Sequence, residues 1–128
     1  MVIQCPTGGI NVLVTGASPG VICVCGTLAA QDDSGSGIPP NLVRVRLLAG
    51  SVAPPFPSAD PIQPGDVDVI PVGQLWNAQN VPVPSSCSTP GAAVTALAWA
   101  RAGTGPWGTP ASVCFNAGGL SPVSCCNG

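Results

Sequence analysis

The stretch that most constrains the fold is Gly91–Gly103, GAAVTALAWARAG, the longest uninterrupted apolar run of the chain. In an extended conformation its side chains form two alternating sets, and neither set is polar. Such a run is typical of a strand covered on both faces or of a short buried helix, and its periodicity does not separate the two. Alanine favours a helix, whereas Val94, Thr95 and Trp99 favour a strand. Because the other segments have strand patterns, we expect this run to be the central strand of a sheet.

Few charges and many turn-forming residues limit the classes of function. The 128 residues include five aspartates and three arginines, with no Lys, Glu, His or Tyr, and the formal net charge is −2. So few cations argue against a nucleic-acid partner, which requires many phosphate contacts. The 17 glycines and 16 prolines predict many turns between short strands, and the length is that of one domain. A surface with so little charge favours burial against copies of the same protein.

The cysteine content points to a compartment. Seven cysteines in a short chain indicate an oxidising destination, either extracellular or on the surface of a cell or spore. Met1–Gly16 lacks the basic start and the sustained apolar core of a signal peptide. No run reaches the roughly 20 apolar residues of a transmembrane helix, so membrane insertion is not expected. Export then requires either removal of an earlier signal or an unconventional route such as lysis.

Alternating apolar and polar residues predict about seven short strands. In Leu42–Leu48 the valines and Leu47 point inward and Arg44 and Arg46 outward, and in Asp66–Ile70 the two aspartates point outward. These arginines and aspartates complement each other if the two strands lie side by side. The remaining predicted strands, besides the central one, are Ile10–Thr15, Val21–Gln31, Gly73–Asn77 with a core tryptophan at Trp76, and Ala111–Asn116.

The intervening segments predict the domain organisation. Ser51–Gly65 contains five prolines and is incompatible with a regular central strand, and Ala78–Pro90 is expected to be a long loop. Met1–Gly9 is expected to be an N-terminal arm, residues 10–116 a β-sandwich domain, and Ala117–Gly128 a C-terminal tail that carries cysteines.

Three short patterns resemble the bacterial immunoglobulin-like and fibronectin type III-like modules of surface proteins. They are Val-Arg-Val-Arg at 43–46, Gln-Leu-Trp at 74–76 and Val-Thr-Ala-Leu-Ala at 94–98. The resemblance spans residues 10–116 and implies an antiparallel immunoglobulin-like sandwich with a scaffold or adhesion role and no catalytic residues. The chain departs from antibody-type domains because its central strand has no cysteine for the usual disulfide between the sheets.

The cysteines are the sharpest chemical feature, and we expect all seven to be disulfide cross-linking positions: Cys5, Cys23, Cys25, Cys87, Cys114, Cys125 and Cys126. Their number is odd, so at least one is free, metal-bound or bonded to another molecule. Neighbours on one strand face and adjacent residues are poorly placed to bond each other, because disulfide geometry is demanding. Bonds between subunits are therefore one interpretation, and internal bridges, each worth ~2–4 kcal/mol, are the other. Zinc is disfavoured because the chain has no His and no cysteine pair at zinc-site spacing.

Other candidate sites are weaker, and no cofactor or resident metal is expected. Asp66 and Asp68, or the loop that contains Asp32 and Asp33, offer oxygen ligands for a divalent cation, but solvated carboxylates explain both patterns. Nucleophilic and acid–base catalysis lack a His partner, so an enzyme is not expected. Trp107 is a candidate contact for a glycan or a surface protein, although a loop tryptophan that folds over the sandwich edge is the preferred interpretation.

These observations predict a structural subunit that self-assembles into an extracellular filament or surface layer. Val2 and Ile3 are expected to add a strand to the open sheet edge of the next subunit, and the cysteines to lock that contact. The arrangement is similar in logic to that of endospore appendage subunits, which are small β-sandwiches with cysteine-bearing termini. The alternatives are a monomeric immunoglobulin-like module that binds a glycan or protein, and a viral decoration protein.

Overall fold

The structure is a computed structural model, and it describes residues 1–5, 11–12, 20–29, 34, 38–84 and 92–117. These residues form eight strands and no helix, so none of the described chain is a helix able to cross a membrane. The predicted all-β class is confirmed. The strands are β1 (Val2–Cys5), β2 (Asn11–Val12), β3 (Val21–Thr27), β4 (Leu42–Ala49), β5 (Val67–Val69), β6 (Leu75–Pro82), β7 (Ala93–Arg101) and β8 (Ala111–Ala117).

The strands form two sheets. Three strands are ordered β1-β3-β6, and five are ordered β2-β8-β7-β4-β5. All pairings are antiparallel except that of β2 with β8, which is parallel. The predicted central strand is therefore confirmed as β7, which lies in the middle of the five-stranded sheet and is buried from Val94 to Ala100.

A single core lies between the sheets. It joins Ile22, Val24 and Trp76 of the three-stranded sheet to the inward-facing residues of β4, β7 and β8. Trp76 is 3 % exposed, as expected for a core tryptophan. The four small inward-facing residues of β7 are Val94 and three alanines, which lets the bulkier side chains of the opposite sheet approach closely. The alanines that favour a helix locally thus serve close packing in a strand.

The predicted pairing of the arginine strand with the aspartate strand is confirmed. Val43, Arg44 and Val45 of β4 lie opposite Val69, Asp68 and Val67 of β5. The arginines face away from the sandwich core as predicted, but they are buried, with 6 % of Arg44 and 7 % of Arg46 exposed. The proline-rich segment of residues 51–66 covers them, which the alternating pattern of β4 did not reveal.

One loop prediction is wrong. Ala78–Pro82 belongs to β6 and pairs with β3, although Ala78–Pro90 was expected to be a loop. Ala78 and Val81 are fully buried, whereas Gln79 and Asn80 between them are both exposed. A register shift opposite Asn80, whose φ is 57°, adds this second exposed residue and so obscures the period of two. Pro82 is tolerated because it ends an edge strand.

Candidate self-association surface

The outer surface of the three-stranded sheet has no charge in its strands. β1, β3 and β6 contain neither an arginine nor an aspartate. Edge strands of monomeric proteins are commonly protected by charged side chains, especially lysine, against pairing with another chain. The edge strands of this sheet are β1 and β6, and both lack that protection.

Register places the outward-facing side chains in rows across the sheet. Val2 lies opposite Thr27, which lies opposite Leu75, and these residues share one face because directly paired residues point to the same side. Cys5, Cys25 and Asn77 form the next row. Val2 is 57 % and Leu75 is 62 % exposed. The first row is therefore apolar at both edges of the sheet.

A tight turn beside this sheet presents further apolar residues to solvent. The backbone N–H of Val72 donates to the carbonyl of Leu75 at 2.8 Å, and that of Leu75 donates back to the carbonyl of Val72 at 3.1 Å. Gly73, with φ of 61°, provides the left-handed conformation between them. Ile70 is 78 % exposed and Val72 82 % exposed. These two residues and Leu75 form what we call the apolar rim, and its position is fixed by the turn.

A groove of about 410 Å³ runs next to the apolar rim, and its walls come from β1, β3, β6 and the rim itself. No charged residue contributes to these walls. Trp76 borders the groove, and its indole N–H is buried without a hydrogen-bond partner. An unsatisfied buried donor costs about 1–3 kcal/mol, so this N–H lowers the stability of the single chain.

The N-terminal residues form part of this surface rather than a separate arm. Val2–Cys5 pairs with β3 of the same chain, and Ile3 packs against the core next to Trp76. Opposite Ile3 lies Gly26, where a Cβ would overlap the carbonyl oxygen of Val2 and approach Trp76 Cζ2 to 2.7 Å. Glycine at this position therefore permits the close approach of β1. Val2 and Ile3, predicted to add a strand to a neighbouring subunit, lie in an edge strand of their own sheet, and that addition stays a prediction.

The described cysteines fall on different sheets. Cys5 and Cys25 are register partners on the outer face of the three-stranded sheet, and Cys23 lies on the same face of β3. Each of these three takes part in an interaction, and Cys114 is the free thiol among the described cysteines. Cys114 lies on β8 with its sulfur 3.4 Å from the Thr95 hydroxyl oxygen. The predicted cross-linking residues Cys87, Cys125 and Cys126 lie outside the described residues.

The outer face of the five-stranded sheet is covered and carries the charges. Arg46 Nε and Nη2 donate to the two carboxylate oxygens of Asp66, each at 2.8 Å, and the Asp66 side chain is fully buried. Arg44 makes the equivalent pair of bonds to Asp68, at 2.8 and 3.0 Å. Both guanidinium groups also donate to the carbonyl of Ala59. These bonds hold the segment 51–66, which we call the roof, against the sheet.

The guanidinium of Arg44 remains charged at any working pH. The hydrogen bonding that Arg44 donates to Asp68 is the main cause of a pKa of Arg44 above its ordinary value, and the charges of Asp68 and Asp60 act in the same direction. Burial of the guanidinium lowers the pKa and only partly offsets these effects. A raised pKa of a basic group stabilises the fold at every pH below the ordinary value, and this contribution is lost only in strong alkali.

Aromatic rings complete the cover of this sheet. Trp99 is 2 % exposed and packs with Ala59 and Leu97, and Phe56 and Trp107 lie against the same cluster. The guanidinium of Arg46 lies 4.8 Å from the centre of the Trp99 ring. Arg44 and Arg101 lie 4.7 and 4.5 Å from the centre of the Trp107 ring. The two tryptophans are therefore stacked with cations of their own chain.

Trp107 also borders a groove of about 500 Å³ together with Phe56 and Asp60. The Trp107 indole N–H donates to Asp60 at 3.0 Å, and the Asp60 side chain is 62 % exposed. The predicted ligand contact thus has a groove beside it. Its ring already contacts two guanidinium groups, which supports the interpretation of a loop tryptophan that folds over the sandwich.

Of the candidate cation ligands, the structure describes Asp66 and Asp68, and both bind arginines. Asp66 and Asp68 accept bonds from Arg46 and Arg44, and the described residues contain no group of three or more potential metal-binding side chains. Asp32 and Asp33 lie outside the described residues. Asp66 and Asp68, which the sequence pattern offered for a cation, are thus arginine partners.

The apolar rim was missed by sequence reasoning. Alternation with Val69 and Trp76 places Ile70 and Leu75 on the outward faces of their strands, but it does not indicate that they stay uncovered. The available signal was Val72-Gly73-Gln74-Leu75, where a glycine between two apolar residues is compatible with a tight turn.

Comparison with known protein families, with curated proteins and with solved structures finds no match to this chain.

Proposed function

We propose that this chain is a structural subunit that self-assembles into an extracellular filament or surface layer. The observation that carries the proposal is the uncharged three-stranded sheet, with the apolar rim exposed beside edge strands that have no protective charge. Large exposed apolar residues grouped on one side of a small domain mark an interaction surface. The charged residues of the described chain lie on β4, β5, β7 and the roof instead.

Strand addition is the proposed mode of contact. β1 is an edge strand of only four residues with a register irregularity between Ile3 and Cys5, so few ladder hydrogen bonds hold it to β3. A subunit whose first strand pairs with the sheet of a neighbour makes the same contacts between chains that it makes within one chain. Such exchange links subunits head to tail and propagates if the rotation does not close.

Disulfides are the second proposed element of stability. Three of the described cysteines lie on the sheet that carries β1, so bonds to them stiffen the surface through which the subunits associate. Electrophoresis of alkylated protein with and without reductant separates the two cases. A ladder that collapses to about 12.5 kDa on reduction indicates bonds between subunits. A monomer that migrates faster without reductant indicates internal bridges. That result contradicts disulfides between subunits, but it does not contradict noncovalent assembly.

Assembly itself is tested by electron microscopy and sedimentation of the purified protein and of two variants. Leu75→Lys places a charge in the apolar rim, and we expect it to abolish polymers because burial of an unpaired charge is costly. Ile62→Lys is the matched control, since Ile62 is 58 % exposed and lies in the roof. Monomeric wild-type protein at all concentrations, or equal loss of polymers in both variants, contradicts the proposal.

A second candidate function is a monomeric module that binds a glycan or protein. It is favoured by the groove beside Trp107, where Phe56 offers an apolar wall and Asp60 an exposed hydrogen-bond acceptor. A glycan array probed with wild-type protein and with Asp60→Asn tests it. Specific binding that the substitution weakens supports this function, and absence of binding to any glycan contradicts its glycan form.

A further inference from the structure

We propose that the C-terminal tail, Ala117–Gly128, is disulfide-bonded to the outer face of the three-stranded sheet of its own chain. The attachment goes beyond the proposed function, since it concerns the covalent structure of one subunit. Two groups of residues carry it. The sheet cysteines are Cys5, Cys23 and Cys25, and the tail cysteines are Cys125 and Cys126.

The described cysteines are in two states. The three sheet cysteines are disulfide-bonded, whereas Cys114 is a free thiol. Three cysteines cannot all pair with one another, so at least one of them bonds a cysteine outside the described residues. The chain has seven cysteines, an odd number that leaves at least one thiol unpaired, and Cys114 accounts for it. In an oxidising compartment we expect the other six, which are the sheet cysteines, the tail cysteines and Cys87, to form three bonds.

Geometry limits how these six cysteines pair. Adjacent cysteines are poorly placed to bond each other, which excludes a bond between the tail cysteines. If no two sheet cysteines bond each other, each bonds one of the remaining three, and both tail cysteines are attached to the sheet. If two of them do bond, as the register partners Cys5 and Cys25 are placed to do, the third bonds a tail cysteine. A bond from it to Cys87 would leave the tail cysteines only each other. Every allowed pairing therefore attaches the tail to the sheet.

The sheet cysteines lie together on one surface that the tail is long enough to reach. Cys5 and Cys25 are register partners, and Cys23 lies on the same face of β3. The tail begins at Ala117, where β8 ends, and β8 and β1 contact each other although they belong to different sheets. Eight residues lead from Ala117 to Cys125, and an extended chain of that length spans about 26–29 Å. This exceeds the sum of roughly 10 Å between packed sheets and roughly 5 Å between neighbouring strands.

The tail suits this face in composition. The strands of the sheet contain no charged residue, and neither does the tail. Contact between them therefore buries no side-chain charge without a partner. Leu75 of the apolar rim lies in the row next to that of Cys5 and Cys25, so the proposed association surface and the attachment of the tail are different parts of the face. An internal bond at Cys5 holds β1 in its own chain, so strand addition by β1 must take place before oxidation.

Each bond forms by exchange with a small-molecule disulfide of the oxidising compartment. A thiolate of the chain attacks one sulfur of that reagent and releases the other sulfur as a thiolate. A second thiolate of the chain then attacks the mixed disulfide and releases the remaining small thiolate. Two protein thiols lose two protons and two electrons in total, and the reagent is reduced to two small thiols.

Trypsin separates the groups of cysteines for a direct test. The chain has no lysine, so its trypsin sites are Arg44, Arg46 and Arg101. The sheet cysteines fall on fragment 1–44, Cys87 on 47–101, and the tail cysteines with Cys114 on 102–128. Free thiols of the oxidised full-length protein are alkylated in denaturant, and the digest is analysed by mass spectrometry before and after reduction. We expect fragments 1–44 and 102–128 to be joined until the reductant is added. Fragments 1–44 and 102–128 that are not joined overturn the inference.

Paired variants show which cysteines of fragment 102–128 make the bond. The double variant Cys125→Ser and Cys126→Ser should release fragment 102–128 from fragment 1–44. Cys114→Ser is the matched control from the same fragment, and it should leave the two fragments joined. A link that persists in the double variant, or that is lost in Cys114→Ser, overturns the inference.

Isotope mixing separates a bond within one chain from a bond between chains. Unlabelled and ¹⁵N-labelled proteins are reduced, mixed and oxidised together below the concentration at which subunits associate. We expect fragments 1–44 and 102–128 to be joined with the same label only. Pairs with mixed labels overturn the attachment within one chain and support disulfides between subunits. Polymers in micrographs are scored separately, so failure of the attachment leaves the proposed assembly standing, and failure of assembly leaves the attachment standing.

Discussion

The outer faces of the two sheets differ in their charge and in how they are covered. The five-stranded sheet buries Arg44 and Arg46 under the roof and pairs them with aspartates and tryptophan rings. The three-stranded sheet has no charged residue in its strands and leaves the apolar rim exposed. One face therefore contributes to the stability of the single chain, and the other remains available for contact with another molecule.

The difference has a physical basis in how each sheet is covered. The proline-rich roof has few backbone N–H groups that need a hydrogen-bond partner. Thr95 holds the start of the roof, because its Oγ1 donates to the carbonyl of Gly50 and accepts from the N–H of Val52. The arginines then satisfy the carbonyls of Ser58 and Ala59. Within the described residues nothing equivalent to this roof lies over the apolar rim. A second copy of the chain is proposed to take that place.

The largest expected effect on stability comes from Asp66→Ala. The substitution leaves the buried guanidinium of Arg46 without its bidentate partner, and we expect unfolding free energy to fall by about 3–5 kcal/mol. Urea denaturation followed by tryptophan fluorescence measures it. Asp68→Ala is the matched control: its side chain is 30 % exposed and Arg44 keeps Asp60, so the loss should be about 1–2 kcal/mol. Equal losses in the two variants contradict the view that burial makes the Asp66 pair dominant.

Trp107→Ala should destabilise the chain by about 2 kcal/mol, roughly half of the loss for a fully buried tryptophan. The ring covers the cluster of Leu97 and Trp99 and stacks with Arg44 and Arg101. The same denaturation experiment measures the change. A stability equal to that of wild type would show that the ring is not part of the cover, and it would favour a role in ligand binding.

Gly26→Ala tests the attachment of β1 to the three-stranded sheet. The added methyl group overlaps the Val2 carbonyl and the Trp76 ring, so we expect a loss of about 1–3 kcal/mol and weaker protection of the β1 amides from hydrogen exchange. Gly50→Ala is a useful comparison because its φ of 84° is strained for alanine, yet no atom lies within 4 Å of the new Cβ. Retention of β1 protection in Gly26→Ala contradicts the close approach seen here.

Leu75→Lys is expected to have the smallest effect on stability and a large effect on association. The residue is 62 % exposed, so unfolding free energy should change by no more than about 0.5 kcal/mol. Denaturation below the concentration at which subunits associate measures the stability alone. A large loss there would place Leu75 among the residues that stabilise the single chain, and the contrast between the two sheets would fail.

Much of the fold could be predicted from the sequence, because alternation in β4 and β5 reports which side chains face the sandwich core and the continuous apolar run of β7 indicates a strand covered on both faces. The pairing of Arg44 with Asp68 followed from charge alone, since opposite charges on neighbouring strands attract. The cover over these charges could not be predicted in the same way. It depends on how the proline-rich segment folds back over the sheet, and no periodicity encodes that.

The association surface was harder to predict because it depends on tertiary neighbours. Asn80 interrupts the alternation of β6 and hides the length of this strand. The outward direction of Val72 is set by the turn at Gly73, and the exposure of Ile70 and Val72 reflects what the other strands leave uncovered. The addition of Val2 and Ile3 to a neighbouring subunit stays a prediction, since the structure pairs both residues with β3 of their own chain.

The most direct test of the account is hydrogen exchange measured by mass spectrometry on dilute and on assembled protein. The account predicts that assembly adds protection to β1 and to residues 70–77, and leaves the roof at residues 51–66 unchanged. Added protection confined to the roof, with none in β1 or at the apolar rim, would contradict it.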